Sequence, residues 1–283
     1  MSIKAILLDI DGTLTNSQKE ITPKTKKALL DAQKLGIRLV IASGRPVKGL
    51  YQFGNQLDMP NNHGVFVAFN GARVEDCETH EVLYDVAMST EMVKSVLRHM
   101  EQFDVRPMIT YGDHMVVKDV YDCMIKDGDR VFNVLEYESR GNGYKLMEVE
   151  NLADFFNEPT NKILTAGDSE YLKEHYEEMA KPFEGKLNMM FTANFYFEYT
   201  ALGIDKGAAL TDAMGKLGIK PEECIAFGDA ENDISMLNYA GIGVAMANAR
   251  EAVLAMADEV TLDNNHDGIA ESLYKHIPEL REM

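Results

Sequence analysis

Apolar residues run almost without interruption over residues 3–8, 37–42 and 65–69. Short continuous runs of this kind suit strands buried on both faces. Thr22-Pro23 marks a helix start, with a capping residue followed by proline at the first helical position. The helix it opens carries Ala28, Leu29, Ala32 and Leu35 on one face, and Gly36 stops it. A second helix is expected from Arg45. Strands alternating with helices predict a parallel α/β sheet.

The pattern changes after about residue 71. Residues 72–87 read as a hairpin with a polar tip at Cys77-Glu78-Thr79-His80. Thr90 caps a helix whose apolar face is Met92, Val93, Val96, Leu97 and Met100. Residues 107–118 form a hairpin turning at Gly112-Asp113. Residues 119–158 show no clear period. A strand over 161–165, a helix over 169–183 and an aromatic-rich hairpin over 187–199 complete an α+β stretch with an antiparallel sheet. The α/β rhythm returns near residue 200. Helices are expected over 205–217, 231–239, 250–257 and 267–276, and strands over 224–227, 243–246 and 259–262. The predicted architecture is a discontinuous, doubly wound α/β core, residues 1–82 and 200–283. An α+β domain, residues 83–199, is inserted between the halves.

Length and charge narrow the partners. A chain of 283 residues buries a large core without metal or disulfide staples. The 28 basic residues against 46 acidic ones give −18, a field that repels nucleic acid and anionic membrane. No apolar run approaches the ~18 residues of a membrane span. The opening MSIKAILLDID lacks the long apolar region of a signal peptide. Cys77, Cys123 and Cys224 are far apart with no CxxC spacing, as expected of reduced, packed thiols in a cytoplasmic protein.

Four motifs carry chemistry, all at strand ends or helix starts of the α/β part. Asp9-Ile10-Asp11-Gly12-Thr13 follows the first buried run, where ligands gather in a parallel sheet. The turn at Gly12 lets the second acid swing back over the first. One acid then suits a nucleophile and metal ligand, the other a general acid/base; the same residues also suit an ordinary turn. Gly228-Asp229-Ala230-Glu231-Asn232-Asp233 follows another apolar run and opens a helix. Clustered carboxylates need a cation or protons to coexist, and hard oxygen ligands suit Mg²⁺; acids at a helix start are also favourable by themselves. Ser43-Gly44-Arg45 sets a hydroxyl and free N–H groups at a helix start, an anion site or a plain turn. Lys206 sits at a helix start, where the dipole disfavours a cation. Two acid clusters, a hydroxyl and a lysine together match phosphoryl transfer through an aspartyl-phosphate with Mg²⁺.

These four motifs, in this order, resemble the signatures of haloacid dehalogenase superfamily phosphatases. The inserted module and the segment Ala68-Phe69-Asn70-Gly71-Ala72 resemble the Cof-type subfamily, and within it the YidA-like sugar phosphatases. The resemblance covers essentially the whole chain. It implies Asp9 as nucleophile and Mg²⁺ ligand. It implies Asp11 as general acid/base, with its carbonyl on the metal. Asp229 is then a direct metal ligand, and Asp233 acts on the metal through its neighbours. Ser43, Gly12, Gly44, Asn232 and Lys206 are implied to hold the substrate phosphate, with Lys206 also orienting Asp9. The inserted domain is implied to be a mobile cap that contacts the substrate.

The expected partner is a small-molecule phosphate ester, a sugar phosphate in particular, acted on by a monomer or homodimer. Three alternatives use overlapping parts. A phosphomutase or phosphotransferase would return the phosphoryl group to a second alcohol. A phospho-accepting regulatory protein uses a similar acid–hydroxyl–lysine set, but a cap-sized insertion does not fit its single small domain. A binding protein that retained only the fold would not need every catalytic residue.

Overall fold

The structure is a computed structural model that describes residues 2–283. The chain opens on β1 (Ala5–Leu8), all four residues of which are buried. α1 (Pro23–Lys34) starts at a proline that lacks an N–H where a helix would leave one unpaired. β2 (Arg38–Ala42), α2 (Val47–Gln56) and β3 (Val65–Ala68) follow, then the hairpin of β4 (Arg73–Asp76) and β5 (Val82–Asp85).

The inserted part comprises α3 (Thr90–Met100), β6 (Arg106–Tyr111), β7 (His114–Val117), β8 (Met124–Asp127), β9 (Arg130–Asn133), α4 (Val134–Asn142), β10 (Lys145–Glu148), α5 (Leu152–Phe155), β11 (Lys162–Ala166), α6 (Ser169–Ala180), β12 (Leu187–Ala193) and β13 (Tyr196–Ala201). The chain returns through α7 (Lys206–Lys216), β14 (Cys224–Gly228), α8 (Ile234–Tyr239), β15 (Ile242–Ala245), α9 (Glu251–Leu254), β16 (Glu259–Val260) and α10 (Gly268–His276). Two compact units result: the described part of Met1–Asp85 with Asp205–Met283, and Val86–Ile204.

The first unit is an eight-stranded sheet in the order β16-β15-β14-β1-β2-β3-β4-β5. It is parallel from β16 to β3. The β4–β5 hairpin adds an antiparallel edge, which is why this unit reaches Asp85. Leu8 lies opposite both Ile41 and Phe227, so the ends of β1, β2 and β14 come out side by side. Strand order reverses at β1, with β2 on one side and β14 on the other, which makes this the topological switch point where α/β sheets bind ligands. Ala5, Leu7, Val40 and Ala226 pack with Ala209, Leu210 and Met214 of α7 and Met236 and Leu237 of α8. α1 packs on β2 and α10, and α2 on β3. Continuous apolar runs follow from this burial on both faces.

The second unit carries a six-stranded sheet, β10-β7-β6-β11-β13-β12, and the separate β8–β9 hairpin. The sheet is antiparallel except that β10 pairs with β7 in parallel, a departure from the expected all-antiparallel arrangement. The chain reaches β10 through α4, and a helical crossover of this kind joins parallel strands. Ile109, Val116, Ile163 and Phe197 bury one face with α3 and α6. Met108, Met115 and Leu164 bury the other with Ile125, Val134 and Leu135.

Several expected element ends move. Ser89, not Thr90, caps α3, its hydroxyl accepting the N–H of Met92. The helix expected from residue 231 begins as a tight turn over Glu231–Asp233, and the one over 250–257 shrinks to α9. The second helix starts at Val47, two residues beyond Arg45, because Pro46 holds the extended conformation that precedes it. Cys77 and Cys224 are buried and Cys123 half-buried, all three unpaired. Burial pushes the Cys224 thiol up to about 12 and that of Cys77 higher still, so neither is a nucleophile at neutral pH. Among the described residues no helix is long and apolar enough to cross a membrane.

Candidate active site

Three chain turns leave adjacent strands of the first unit and meet at a buried lysine. Asp9 follows β1, Ser43 follows β2 and Asp229 follows β14. Lys206 opens α7, where Asp205 caps the helix by accepting the N–H of Ala208. The Lys206 side chain is fully buried, and its Nζ donates to Asp9 Oδ1 (2.7 Å), Asp233 Oδ1 (2.6 Å) and the Ala42 carbonyl (2.8 Å). An ammonium has three N–H donors, and all three are committed here. Lys206 therefore has no donor left over for a ligand in this arrangement. A cation at a helix start is held by carboxylates that outweigh the unfavourable dipole.

The carboxylates fall into two groups. Asp9, Asp229 and Asp233 each offer an oxygen within 4.8 Å of the others. Asp233 is spent on its neighbours: Oδ1 on Lys206, Oδ2 on the N–H groups of Asp229 and Ala230. Asp229 accepts the Thr13 hydroxyl at 2.9 Å through Oδ1. Asp11 lies apart from this cluster. Arg45 grips its two oxygens through Nε and Nη2, each at 3.0 Å, and Lys19 Nζ adds a contact at 2.7 Å. The turn at Gly12 thus carries the Asp11 carboxylate to two cations and not into the Asp9 cluster. Gly12 itself has φ +89°, and a Cβ there would sit 2.4 Å from Asp229 Oδ2, so only glycine lets the two acid loops approach.

The electrostatics differ accordingly. Burial, and then the charge of Asp233, raises the Asp9 carboxyl to about 7 despite Lys206. Burial raises Asp229 to about 6, with Asp233 adding to it and the Thr13 hydroxyl opposing it. Burial also pulls Asp11 upward, but Arg45 and Lys19 outweigh it and hold that carboxyl below its usual range. Lys206 is pushed up: burial alone would lower it, and Asp9 and Asp233 prevail.

Of the residues expected to hold a phosphate, Ser43 is buried and its hydroxyl accepts the Arg45 N–H at 3.3 Å. A Cβ on Gly44 would sit 3.0 Å from Asn70 Nδ2, so the Gly44 backbone lies close under that side chain. Asn232 Nδ2 donates to Asn70 Oδ1 at 3.0 Å. Asn70 is a residue that the motif reading did not place in the site. Phe69 and Asn70 both have φ above +50°, an uncommon pair for residues with side chains. The N–H groups of Phe69 and Asn70 donate to the carbonyls of Arg45 and Ser43. The Asn-Gly dipeptide at 70–71 is a turn signal that could have found it. Thr13 and Arg45 were inside the motifs, but their carboxylate partners are visible only in three dimensions.

A pocket of about 200 Å³ lies within the second unit. Its one guanidinium, Arg106, is taken by Asp104 and Asp122, and it contains none of these acid clusters.

The donor set fits a hard divalent cation. Three clustered carboxylates against one ammonium leave an excess of two negative charges in a buried place. Oxygen donors of this kind suit Mg²⁺. Asp9 and Asp229 are the residues with carboxylate oxygens to spare.

Comparison with known proteins bears on the family. A family profile described as haloacid dehalogenase-like hydrolase matches residues 6–273. The chain is 29% identical over 279 residues to the pyridoxal phosphate phosphatase YbhA of Escherichia coli, covering 98% of this chain and 100% of that protein. Among solved structures, a haloacid dehalogenase-like hydrolase from Bacteroides thetaiotaomicron is 33% identical, with a TM-score of 0.89 over 98% of this chain and 100% of that one. The subclass IIB sugar phosphatase BT4131 is 28% identical, with a TM-score of 0.74 over 97% of this chain and 99% of that one.

Two predictions follow from the charges. Protons on Asp9 and Asp229 compete with a cation, so Mg²⁺ binding releases protons. Its apparent affinity should fall as pH drops from about 8 to about 5, by up to about tenfold per pH unit for each proton displaced. Calorimetric titration at several pH values measures this, and a pH-independent affinity would contradict it. Lys206→Met strands buried carboxylates without their cation. It should destabilise the first unit by about 3–5 kcal/mol, the general cost of breaking a buried pair. Urea unfolding measures it, and a loss below about 1 kcal/mol would contradict the burial argument.

Proposed function

Since the chain belongs to the haloacid dehalogenase-like hydrolases and is a phosphatase, we propose that it hydrolyses a small phosphorylated alcohol of the sugar phosphate class through a phosphoryl group carried on Asp9. The observation that carries this is the state of Asp9. It is buried, one oxygen is fixed on Lys206, and the other has no hydrogen-bond donor among the described residues.

Asp9 attacks phosphorus through its uncommitted oxygen. The bond to the alcohol oxygen breaks, and that oxygen takes a proton from Asp11, which for this step leaves Arg45 and Lys19 and carries the proton it gained from water in the previous turnover. Asp11 then takes a proton from water as the water attacks the phosphoryl group, which leaves as inorganic phosphate and restores the Asp9 carboxylate. The carboxylate form of Asp11 held by Arg45 and Lys19 is the form needed for the second step. Lys206 offsets charge on the phosphoryl oxygens and the Ser43 hydroxyl donates to one of them, with Gly44, Asn232 and Gly12 close by. Asp9, Asp229 and the Asp11 carbonyl would hold a Mg²⁺ ion, with Asp233 fixing the Asp229 loop, and the ion would supply further positive charge to the reaction. The second unit contributes no residue to the acid clusters. A proton-donating Asp11 matches an alkyl alcohol, a poor leaving group, and this favours a sugar phosphate.

Inorganic phosphate release from a panel of sugar phosphates, pyridoxal phosphate and nucleotides tests the proposal, with Mg²⁺ and with a chelator. The expected result is Mg²⁺-dependent release, highest on sugar phosphates. Asp9→Asn should lower it by at least about a thousandfold while the protein stays folded, as loss of a nucleophile does. Activity near wild type in Asp9→Asn would overturn the proposal.

A further inference from the structure

We propose that Asn264, acting with Asn248, is a positioning residue for Asp11; this rests on the reading of Asp11 as general acid/base given above. Asp11 sits on the long connection between β1 and α1. The first turn of that connection is closed by its own backbone: Leu14 N–H donates to the Asp9 carbonyl, and Thr13 and Thr15 N–H to that of Ile10. Those bonds use none of the carbonyls from Gly12 to Thr15.

Two of these carbonyls are met from the far end of the unit. Asn248 Nδ2 donates to the Gly12 carbonyl at 2.9 Å. Asn264 Nδ2 donates to the Thr15 carbonyl at 2.8 Å, while its own N–H donates to Asn248 Oδ1 at 3.1 Å. The two carboxamides thus form one chain of hydrogen bonds along the loop. Asn265 extends it by accepting the Ser17 N–H at 3.0 Å. Thr15 is fully buried and forms an isolated bridge with Asp11, so the place of its carbonyl bears on the Asp11 backbone. That bridge sets a backbone N–H on the carbonyl, and Asn264 is the side chain that donates to it as well, on the second lone pair.

The platform that presents Asn264 is itself tied down. Asp263 accepts the Asn265 N–H through its side chain, and its carbonyl accepts the N–H groups of His266 and Gly268. Asp267 accepts the hydroxyls of Thr22 and Thr25 at the start of α1. The connection bearing Asp11 is therefore gripped at both ends by one short segment before α10. Asn264 touches neither the acid cluster nor Arg45, and its effect must pass through the loop.

A loss of proton donation has a signature that a loss of stability lacks. It slows release of an alcohol far more than release of p-nitrophenolate, which leaves without a proton. The test measures kcat/KM on hexose 6-phosphate, or another alkyl phosphate that the wild type turns over, and on p-nitrophenyl phosphate. Wild type, Asn264→Ala and Asp11→Asn are compared. Asn264→Asp keeps the size but cannot donate, and it carries the same expectation if Asn264→Ala does not fold. The expected result is a drop of about 10–100-fold on the alkyl phosphate with Asn264→Ala, and of less than about threefold on the aryl phosphate. Asp11→Asn should show the same selectivity, more strongly. Equal losses on both substrates, or no loss, in the Asn264 variants alone would overturn the inference and leave the role of Asp11 standing. Equal losses in Asp11→Asn would overturn the general-acid reading and this inference with it.

Discussion

The ammonium of Lys206 is the constraint on which the rest of the site depends. It is fully buried, and its three donors tie the end of β1 through Asp9, the end of β2 through Ala42 and the turn after β14 through Asp233. A buried charge survives only where it is paired and hydrogen-bonded. The fold therefore has to bring these three chain turns to one point, and the parallel order β14-β1-β2 does so. Asp233 in turn accepts the Asp229 and Ala230 N–H groups, so the same ion pair sets the loop that carries Asp229. Removing the lysine would leave two acids buried together with no cation between them.

The second consequence is a division of labour among carboxylates. Asp9 and Asp229 are raised by burial and by neighbouring acids, so they are poised to accept a cation. Asp11 is one turn further along the same loop, yet it is held ionised by Arg45 and Lys19. Acids whose environments push them in opposite directions suit different tasks in one reaction. The overall charge of −18 repels an anionic ester at long range. Three cations, Lys206, Arg45 and Lys19, stand against the four carboxylates Asp9, Asp11, Asp229 and Asp233, so overcoming that field calls for an added cation.

The core was legible because burial on both faces of a parallel sheet writes itself as continuous apolar runs. β1, β2 and β3 all lie inside the runs at 3–8, 37–42 and 65–69. The acid clusters were legible because the topology puts functional loops directly after such runs. Residues 119–158 were not, and the reason is physical. β8, β9 and β10 are four-residue strands with mostly exposed or half-exposed positions, such as Lys145, Leu146 and Glu148, and this leaves no alternation to read. Asn248 and Asn264 were invisible for another reason. A carboxamide that meets a distant backbone carbonyl leaves no periodic trace.

The most direct measurement is acid quenching of the Mg²⁺-loaded enzyme during turnover of a labelled phosphate ester, followed by mass spectrometry of its peptides. The account requires a phosphoryl group on Asp9, formed before inorganic phosphate appears and absent from Asp9→Asn. A phosphoryl group on a different residue, or phosphate released with no labelled protein under conditions where the ester bond has already broken, would contradict it.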